Sequence, residues 1–197
     1  MHRKLCLAIV GPTASGKTGF AVEVAAKLGG EIVCVDSTTI YQGFDIGTSK
    51  PTAEQRKAVP HHLLDILAPD APFSAFDFVA KARGVIEDIS SRGKLPILVG
   101  GSYFYLRALQ NGMYPTGAYD DDALDKIALE FTEADAINGE KLHAALANAD
   151  SKTAEAIHPN DSYRLLRAMA LVRSGVLPSQ QKPAHALGPE YLWVKYA

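Results

Sequence analysis

The chain has 197 residues, of which 47% are hydrophobic and 21% are charged. This is the balance of an ordinary globular protein, and it excludes disordered, collagen-like and disulfide-stapled classes. No apolar run is long enough to cross a bilayer, and the run at residues 5–10 is too short for a secretory signal. Cys6 and Cys34 lie in apolar runs, so we interpret them as buried thiols of a protein in the reducing cytoplasm.

The charge is distributed unevenly, although the net charge is only −2. Residues 1–114 contain 12 basic and 10 acidic side chains, residues 115–161 contain 3 and 11, and residues 162–197 contain 5 and 1. An acidic surface repels a phosphate backbone, so any bound nucleic acid should lie against the two flanking parts.

The predicted elements alternate between strand and helix in the first half of the chain. Continuous apolar runs predict strands, and periodic segments with caps predict helices. The predicted strands span residues 5–10, 31–36, 62–67 and 95–100, and the predicted helices span 17–28, 74–90 and 102–110. Short helices follow at 121–131, 140–147 and 152–156, then a longer helix to residue 173, a loop at 178–188 and a strand at 191–196.

This order predicts an α/β protein with a parallel sheet flanked by helices and with a small helical insertion. The segment GPTASGKT at residues 11–18, between the first strand and the first helix, has the pattern of a phosphate-binding P-loop and makes the predicted sheet P-loop NTPase-like. We expect the P-loop core at residues 1–114 and the insertion at 115–157. Residues 158–197 are expected to return to the core with a helix and a strand.

The strongest motif is the glycine-rich loop between the first strand and the first helix. It fits G-x-x-x-x-G-K-[ST] in the structural context that this motif requires. Backbone N–H groups and the helix start bind phosphate oxygens, Lys17 reaches the terminal phosphate, and the Thr18 hydroxyl can bind Mg²⁺. The predicted phosphate-binding residues are Gly11, Pro12, Thr13, Ala14, Ser15, Gly16, Lys17 and Thr18.

Two further segments end strands at the sheet edge where ligands bind. Asp36 can hold a metal ion, accept a proton from a nucleophile, or simply cap a turn. Gly100, Gly101 and Ser102 offer a tight backbone and one hydroxyl, which by themselves indicate no more than a turn. His61 and His62 point apart on a strand and have no partner at ligand spacing, so we expect no zinc site there.

Several segments occur together in the order found in one family. They are GPTASGKT at 11–18, DSTTIY at 36–41, DIGTSKP at 45–51, PHHLLDI at 60–66, FSAFDF at 73–78, VGGSYFY at 99–105 and HPNDSYR at 158–164. From about residue 5 to 194 the chain resembles the tRNA dimethylallyltransferase family, also called tRNA isopentenyltransferase. Family members continue beyond this point, so the family's C-terminal part is missing from this sequence.

The resemblance implies transfer of a dimethylallyl group from dimethylallyl diphosphate to the exocyclic amine of the adenine 3′ to the tRNA anticodon. It makes Asp36 the general base, assigns Lys17 and the P-loop with Mg²⁺ to the diphosphate, and gives Ser102, where the family usually has Thr, a contact with the leaving oxygen. The implied tRNA-binding residues are Asp36, Ser37, Thr38, Thr39, Tyr163, Arg164, Leu165, Leu166 and Arg167.

Three other functions remain open from the sequence. An adenylate prenyltransferase shares the P-loop and the aspartate but accepts a free nucleotide. A small-molecule P-loop kinase usually needs an arginine-rich lid, whereas residues 115–157 contain no arginine. An inactive remnant would bind diphosphate or the tRNA anticodon stem-loop without transfer. We expect a cytoplasmic monomer with no membrane partner.

Overall fold

The computed structural model describes residues 4–113, 121–133, 136–188 and 191–196. The chain divides into two compact units, one formed by residues 1–113 with 183–197 and the other by residues 114–182. The predicted domain boundary at 114/115 lies outside the described residues. Within the described ranges, no helix is both long and apolar enough to cross a membrane.

The first unit is a parallel sheet with helices on both faces. Its elements in chain order are β1 Lys4–Val10, α1 Lys17–Leu28, β2 Gly30–Cys34, α2 Ala53–Ala58, β3 His61–His62, α3 Ala75–Ser91, β4 Leu95–Gly100, α4 Tyr103–Asn111 and β7 Tyr191–Tyr196. The strands pair in the order β3-β2-β4-β1-β7, and every pairing is parallel. The predicted fold class is therefore confirmed.

Two hydrophobic clusters cover the two faces of this sheet. Successive strand residues point to opposite faces, so Ile32 and Cys34 pack with α1 while Val33 and Val35 pack with α3 and α4. Strands that are buried on both faces have continuous apolar sequences. For this reason the predicted bounds of β1, β2 and β4 agree closely with the observed ones.

The sequence-based prediction failed around residues 52–67. The predicted strand 62–67 is only His61–His62, because Leu63 and Asp65 adopt positive φ angles of 57° and 53° that end the extended conformation. Helix α2 was not predicted, although a capping box marks its start. The Thr52 side chain accepts a hydrogen bond from the Gln55 backbone, and the Gln55 side chain accepts one from the Thr52 backbone.

A buried lysine fastens the long connection between β2 and α2. The side chain of Lys50 is only 3% exposed, and its ammonium donates to the Tyr41 carbonyl at 2.8 Å, to Asp45 at 3.0 Å and to Asp65 at 2.5 Å. Arg56 donates to the other Asp65 oxygen at 2.6 Å. Burial raises the pKa of Asp65, but hydrogen bonds from Lys50 and Arg56 outweigh it and lower the pKa below its ordinary value. The connection is thus held in one conformation.

A second ion pair joins β2 to the end of α3. The buried Glu31 accepts hydrogen bonds from Arg92 at 2.5 and 2.9 Å and is bonded to His62 Nε2 at 2.8 Å. The hydrogen bonds from Arg92, aided by His62, outweigh burial and lower the pKa of Glu31 to about 2.

The second unit is a small helical unit with its own core. It contains α5 Asp121–Glu130, β5 Thr132–Glu133, β6 Ala136–Ile137, α6 Gly139–Ala149, α7 Ser151–Glu155, α8 Ser162–Arg173 and a 3₁₀ turn at Pro178–Gln180. Leu165 and Met169 of α8 are buried with Ile127, Leu142 and Leu146. The unit therefore extends to residue 182, whereas the sequence-based division returned the chain to the core at 158; the apolar face of α8 packs on α5 and α6 instead.

The Glu31 ion pair predicts a specific acid sensitivity. Because the folded-state pKa of about 2 lies below the ordinary value of 4.5, Glu31 stabilises the fold above pH 4.5, and this stabilisation is lost as the pH falls toward 2. We expect Glu31→Gln to lower the free energy of unfolding at neutral pH and to flatten its pH dependence between those values. Urea unfolding at a series of pH values measures both effects.

The matched control for this measurement is Glu87→Gln, which removes an exposed carboxylate that pairs with Arg83 one turn earlier on α3. Exposed pairs of this kind contribute little, so the control should follow the unmodified chain. The same pH dependence in Glu31→Gln and the unmodified chain would contradict the assignment.

The Lys50 contacts predict that this side chain holds the 41–51 segment in place. Lys50→Ala removes the cation shared by Asp45 and Asp65, so we expect amide hydrogen exchange at Gln42 and Leu67 to accelerate by about tenfold or more. The Gln42 amide is bonded to the Leu67 carbonyl in this segment. Lys57→Ala, at an exposed position of α2, is the control, and equal exchange in the two variants would refute the role of Lys50.

Candidate active site

The P-loop connects β1 to α1 and presents backbone donors at the start of the helix. Gly16 is the N-cap residue of α1 with φ of 80°, a left-handed conformation that glycine adopts without strain. Gly16 has no side chain that could cap the helix, so within the described residues the N–H groups of its first turn remain available to an anion. Lys17 donates from its ammonium to the Pro12 carbonyl at 2.9 Å, which places the positive charge over the loop. Phosphate binding by this loop remains a prediction, for which the loop supplies the backbone donors and the cation.

A cavity of about 370 Å³ lies next to this loop. One wall consists of residues 13–19, which include six of the eight predicted phosphate-binding residues; Gly11 and Pro12 stand outside it. Residues 48–51, Gln55 and His61 also line the cavity. Ile32, Cys34 and Val99, from β2 and β4, contribute apolar side chains to the lining, and Asp36 and Thr39 contribute polar ones. The lining therefore combines the residues of the P-loop with apolar side chains of the sheet.

Asp36 faces this cavity from the end of β2. Its Oδ1 accepts hydrogen bonds from the Thr38 amide at 2.9 Å and the Thr38 hydroxyl at 2.7 Å. These two bonds hold the carboxylate in one orientation, while Oδ2 accepts none from the part of the chain that the structure describes. An oriented carboxylate with one available oxygen can accept a proton from a bound nucleophile.

A close backbone approach brings the ends of β2 and β4 together. A Cβ atom on Gly100 would lie 1.9 Å from the Val35 carbonyl oxygen, so this position requires glycine. The same oxygen accepts a hydrogen bond from the Ser102 amide at 3.3 Å. Ser102 therefore lies at the sheet edge beside Asp36, as predicted, but it is not among the residues that line the cavity.

Two buried polar atoms of the cavity residues have no hydrogen-bond partner within the described ranges. One is the hydroxyl of Thr39, which is only 6% exposed, and the other is Nε2 of His61. His61 Nδ1 bonds the Val59 carbonyl at 2.8 Å, and burial lowers the pKa of this histidine, so the ring is neutral near pH 7. These atoms are available to a polar ligand.

The two cysteines are buried thiols, as the sequence indicated. Cys6 and Cys34 are buried and unpaired, and burial raises the pKa of each thiol to about 12. Neither is a nucleophile at neutral pH. Among the described residues, no group of three or more His, Cys, Asp or Glu side chains is placed to hold a metal ion.

The predicted tRNA-binding residues fall into two groups that lie in different units. Residues 36–39 follow β2 in the first unit, where Ser37 and Thr38 are exposed. In the second unit Tyr163 is 66% exposed and accepts a hydrogen bond from Arg167 at 2.6 Å. Arg164, which lies about one helical turn before Arg167, is also exposed. Leu165 is completely buried, and the partly buried Leu166 packs against the same core. Both side chains therefore contribute to the fold, and their contacts with tRNA remain a prediction.

No sequence pattern predicted a role for residues 48–51, which line the cavity together with the P-loop. Thr48, Ser49, Lys50 and Pro51 belong to the DIGTSKP segment, which counted toward the resemblance without a function. Their placement in the lining of the cavity depends on the contact of Lys50 with Asp65. These two residues are 15 positions apart, so no local sequence pattern reveals the contact.

Comparison with known proteins identifies the family. A family model described as IPP transferase matches residues 39–196. A tRNA dimethylallyltransferase of Staphylococcus epidermidis is 44% identical over 170 residues, which are 86% of this chain and 51% of that protein. One from an Anaeromyxobacter species is 47% identical over 180 residues, which are 91% of this chain and 59% of that protein.

Solved structures agree with these matches. A eukaryotic dimethylallyltransferase acting on tRNA superimposes with a TM-score of 0.77 at 29% identity, covering 98% of this chain and 48% of that one. A tRNA isopentenylpyrophosphate transferase from Staphylococcus epidermidis gives a TM-score of 0.53 at 42% identity, covering 90% and 57%. The chain thus spans about half the length of the relatives it matches. With a matching family model over most of its length and relatives above 40% identity, the chain belongs to the IPP transferase family.

Proposed function

We propose that this chain transfers a dimethylallyl group from dimethylallyl diphosphate to the exocyclic amine of the adenine 3′ to the anticodon in tRNA. One observation carries the proposal: the P-loop, the oriented carboxylate of Asp36 and the apolar side chains of Ile32, Cys34 and Val99 line the same cavity. A diphosphate, a short hydrocarbon and an amine donor require these three surfaces. Membership of the IPP transferase family supports the same reading.

The proposed chemistry assigns one task to each surface. The adenine nitrogen attacks C1 of the allylic chain, the C1–O bond breaks, and its electron pair leaves with the diphosphate. The first-turn amides of α1 and the Lys17 ammonium stabilise this developing negative charge. Asp36 Oδ2 accepts the proton that the nitrogen releases. The amine of adenine is a weak nucleophile, so its orientation by a fixed carboxylate matters to the rate.

Magnesium is the metal ion that we propose for this site, and the donor set fits it. Mg²⁺ is usually held by one or two protein oxygens together with substrate phosphates. The Thr18 hydroxyl lines the cavity at the start of α1 and would be the protein ligand. When bound, the ion would supply additional positive charge to the leaving diphosphate.

The proposed tRNA contacts follow from exposure and charge. Ser37 and Thr38 offer hydroxyl groups beside Asp36. On α8, Arg164 and Arg167 offer guanidinium groups that can bind phosphates of the RNA. The exposed ring of Tyr163 lies 5.4 Å from the Arg167 guanidinium carbon, and such a pair can bind an unstacked base or a phosphate. The target adenine must leave its stack to reach Asp36.

A transfer assay tests the proposal directly. Labelled dimethylallyl diphosphate is incubated with the chain, Mg²⁺ and either tRNA or adenosine monophosphate. We expect label in tRNA alone. Label in the mononucleotide would instead favour an adenylate prenyltransferase, ATP hydrolysis would favour a kinase or ATPase, and no label in either acceptor would leave only a binding protein.

Asp36→Asn is the decisive variant in this assay. It retains the size of the side chain but removes the base, so we expect kcat to fall by about 10² to 10⁴ while the affinity for dimethylallyl diphosphate remains unchanged. Asp70→Asn, an exposed carboxylate in the loop before α3, is the control. A normal rate in Asp36→Asn would remove the general base from the mechanism, and an equal loss of diphosphate binding would assign Asp36 to the metal ion.

Lys17 should affect binding of the diphosphate most strongly. A charge-assisted hydrogen bond contributes about 1.5–3 kcal/mol, so Lys17→Ala should weaken binding of dimethylallyl diphosphate by about 10- to 100-fold in calorimetry. Lys27→Ala alters an exposed lysine in the last turn of the same helix and should bind normally. Equal affinities in the two variants would place the diphosphate elsewhere.

A further inference from the structure

Helix α4 exposes aromatic side chains where polar residues are expected. Its buried face consists of Tyr105, Leu106, Ala108 and Leu109. On the opposite side Tyr103 is 59% exposed and Phe104 is 63% exposed. The solvent side of an amphipathic helix normally carries polar residues, so two adjacent exposed rings in the first turn indicate a binding role.

These rings stand next to the candidate active site. Gly100 lines the cavity, and Tyr103 follows three residues later, which places its Cα within about 11 Å of that of Gly100. The Ser102 amide is bonded to the Val35 carbonyl, directly before Asp36 in the chain. The first turn of α4 therefore begins at the strand edge from which Asp36 enters the cavity.

The exposed rings are backed by a rigid aromatic core. The ring of Phe104 lies 6.4 Å from that of Tyr105, which is buried and stacks on Phe78 with centroids 4.5 Å apart and planes at 19°. A ring supported in this way loses little freedom on binding, which favours a flat ligand that stacks on it.

The charge on this face selects the kind of ligand. Arg107 is exposed four residues after Tyr103, so it lies on the same side of α4, and it forms no ion pair with any residue that the structure describes. No acidic residue occurs in α4. Aromatic rings combined with an unpaired cation are the surface that unpaired nucleic acid binds, with bases on the rings and phosphate on the guanidinium.

We propose that Tyr103 and Phe104 form a stacking platform for the unpaired anticodon-loop bases that flank the target adenine, with Arg107 binding a neighbouring phosphate. The inference rests on the proposed function. When the target adenine leaves the loop, its neighbours lose a stacking partner, and this platform replaces that partner beside the cavity. Tyr103, Phe104 and Arg107 thereby extend the RNA contacts beyond residues 36–39 and α8.

The test measures the affinity of the full chain for an anticodon stem-loop RNA. Stacking of one base on an aromatic ring is sufficient for a change of about tenfold, so the double variant Tyr103→Ala/Phe104→Ala should bind the RNA at least about tenfold more weakly. Its affinity for dimethylallyl diphosphate should be unchanged. Leu28→Ala, which removes an exposed apolar side chain at the far end of α1, is the control.

Two further variants separate stacking from other roles of this face. Tyr103→Leu/Phe104→Leu keeps an apolar surface without aromatic rings and should bind as weakly as the alanine variant, whereas Tyr103→Trp/Phe104→Trp should restore the affinity. Arg107→Ala should reduce the slope of the logarithm of the binding constant against the logarithm of the salt concentration by about one, the value expected for the loss of one phosphate contact. Unchanged affinity in the alanine variant, or full affinity in the leucine variant, would overturn the platform.

The same experiment distinguishes the platform from the proposed function. Weakened RNA binding in the alanine variant supports the platform even when the unmodified chain transfers no dimethylallyl group, an outcome that would remove only the proposed activity. If the unmodified chain transfers the group to the stem-loop and the alanine variant binds the RNA normally, the activity stands and the platform is wrong. Failure of the unmodified chain to bind the RNA would overturn the platform.

Discussion

The approach of Gly100 to the Val35 carbonyl is the constraint on which the site depends. Because residue 100 has no side chain, the Val35 carbonyl can approach it closely, and β2 and β4 end side by side. Asp36 and Ser102, which follow these strands, are therefore neighbours at the sheet edge. On the other side of β4, Gly100 pairs with Val10, after which the P-loop begins. One backbone contact in the middle of the sheet thus places an anion-binding loop, a carboxylate and a hydroxyl at the same edge.

The cavity at this edge is completed by a segment that needs its own anchoring. Residues 48–51 of the 41–51 connection line the cavity, and the connection is held in place by Lys50, whose ammonium joins two carboxylates and a backbone carbonyl. A buried lysine is stable only when its charge is compensated in this way. In the proposed reaction, Lys17 attracts the diphosphate, whereas Lys50 holds the segment that helps to line the cavity.

The sequence revealed those features that arise locally and missed those that depend on long-range pairing. The P-loop, the strands buried on both faces and the Ser74 capping box were predicted, because each is encoded within a few consecutive residues. The short β3, the Lys50 contacts and the position of α8 were not. A positive φ at Leu63 has no sequence signal in a non-glycine residue, and the apolar face of α8 could have packed on either unit. The exposed rings of α4 were equally invisible, because burial of an aromatic residue depends on what packs against it.

In the proposed mechanism the P-loop holds the leaving group while Asp36 orients the amine that attacks the allylic carbon. A crystal structure of this chain with a thio analogue of dimethylallyl diphosphate, in which the bridging oxygen is replaced by sulfur, tests it most directly. The account predicts diphosphate oxygens at about 3 Å from the first-turn amides of α1 and the C1 carbon in the same cavity as the Asp36 carboxylate. A diphosphate bound away from the P-loop, or an Asp36 carboxylate turned away from C1, would contradict it.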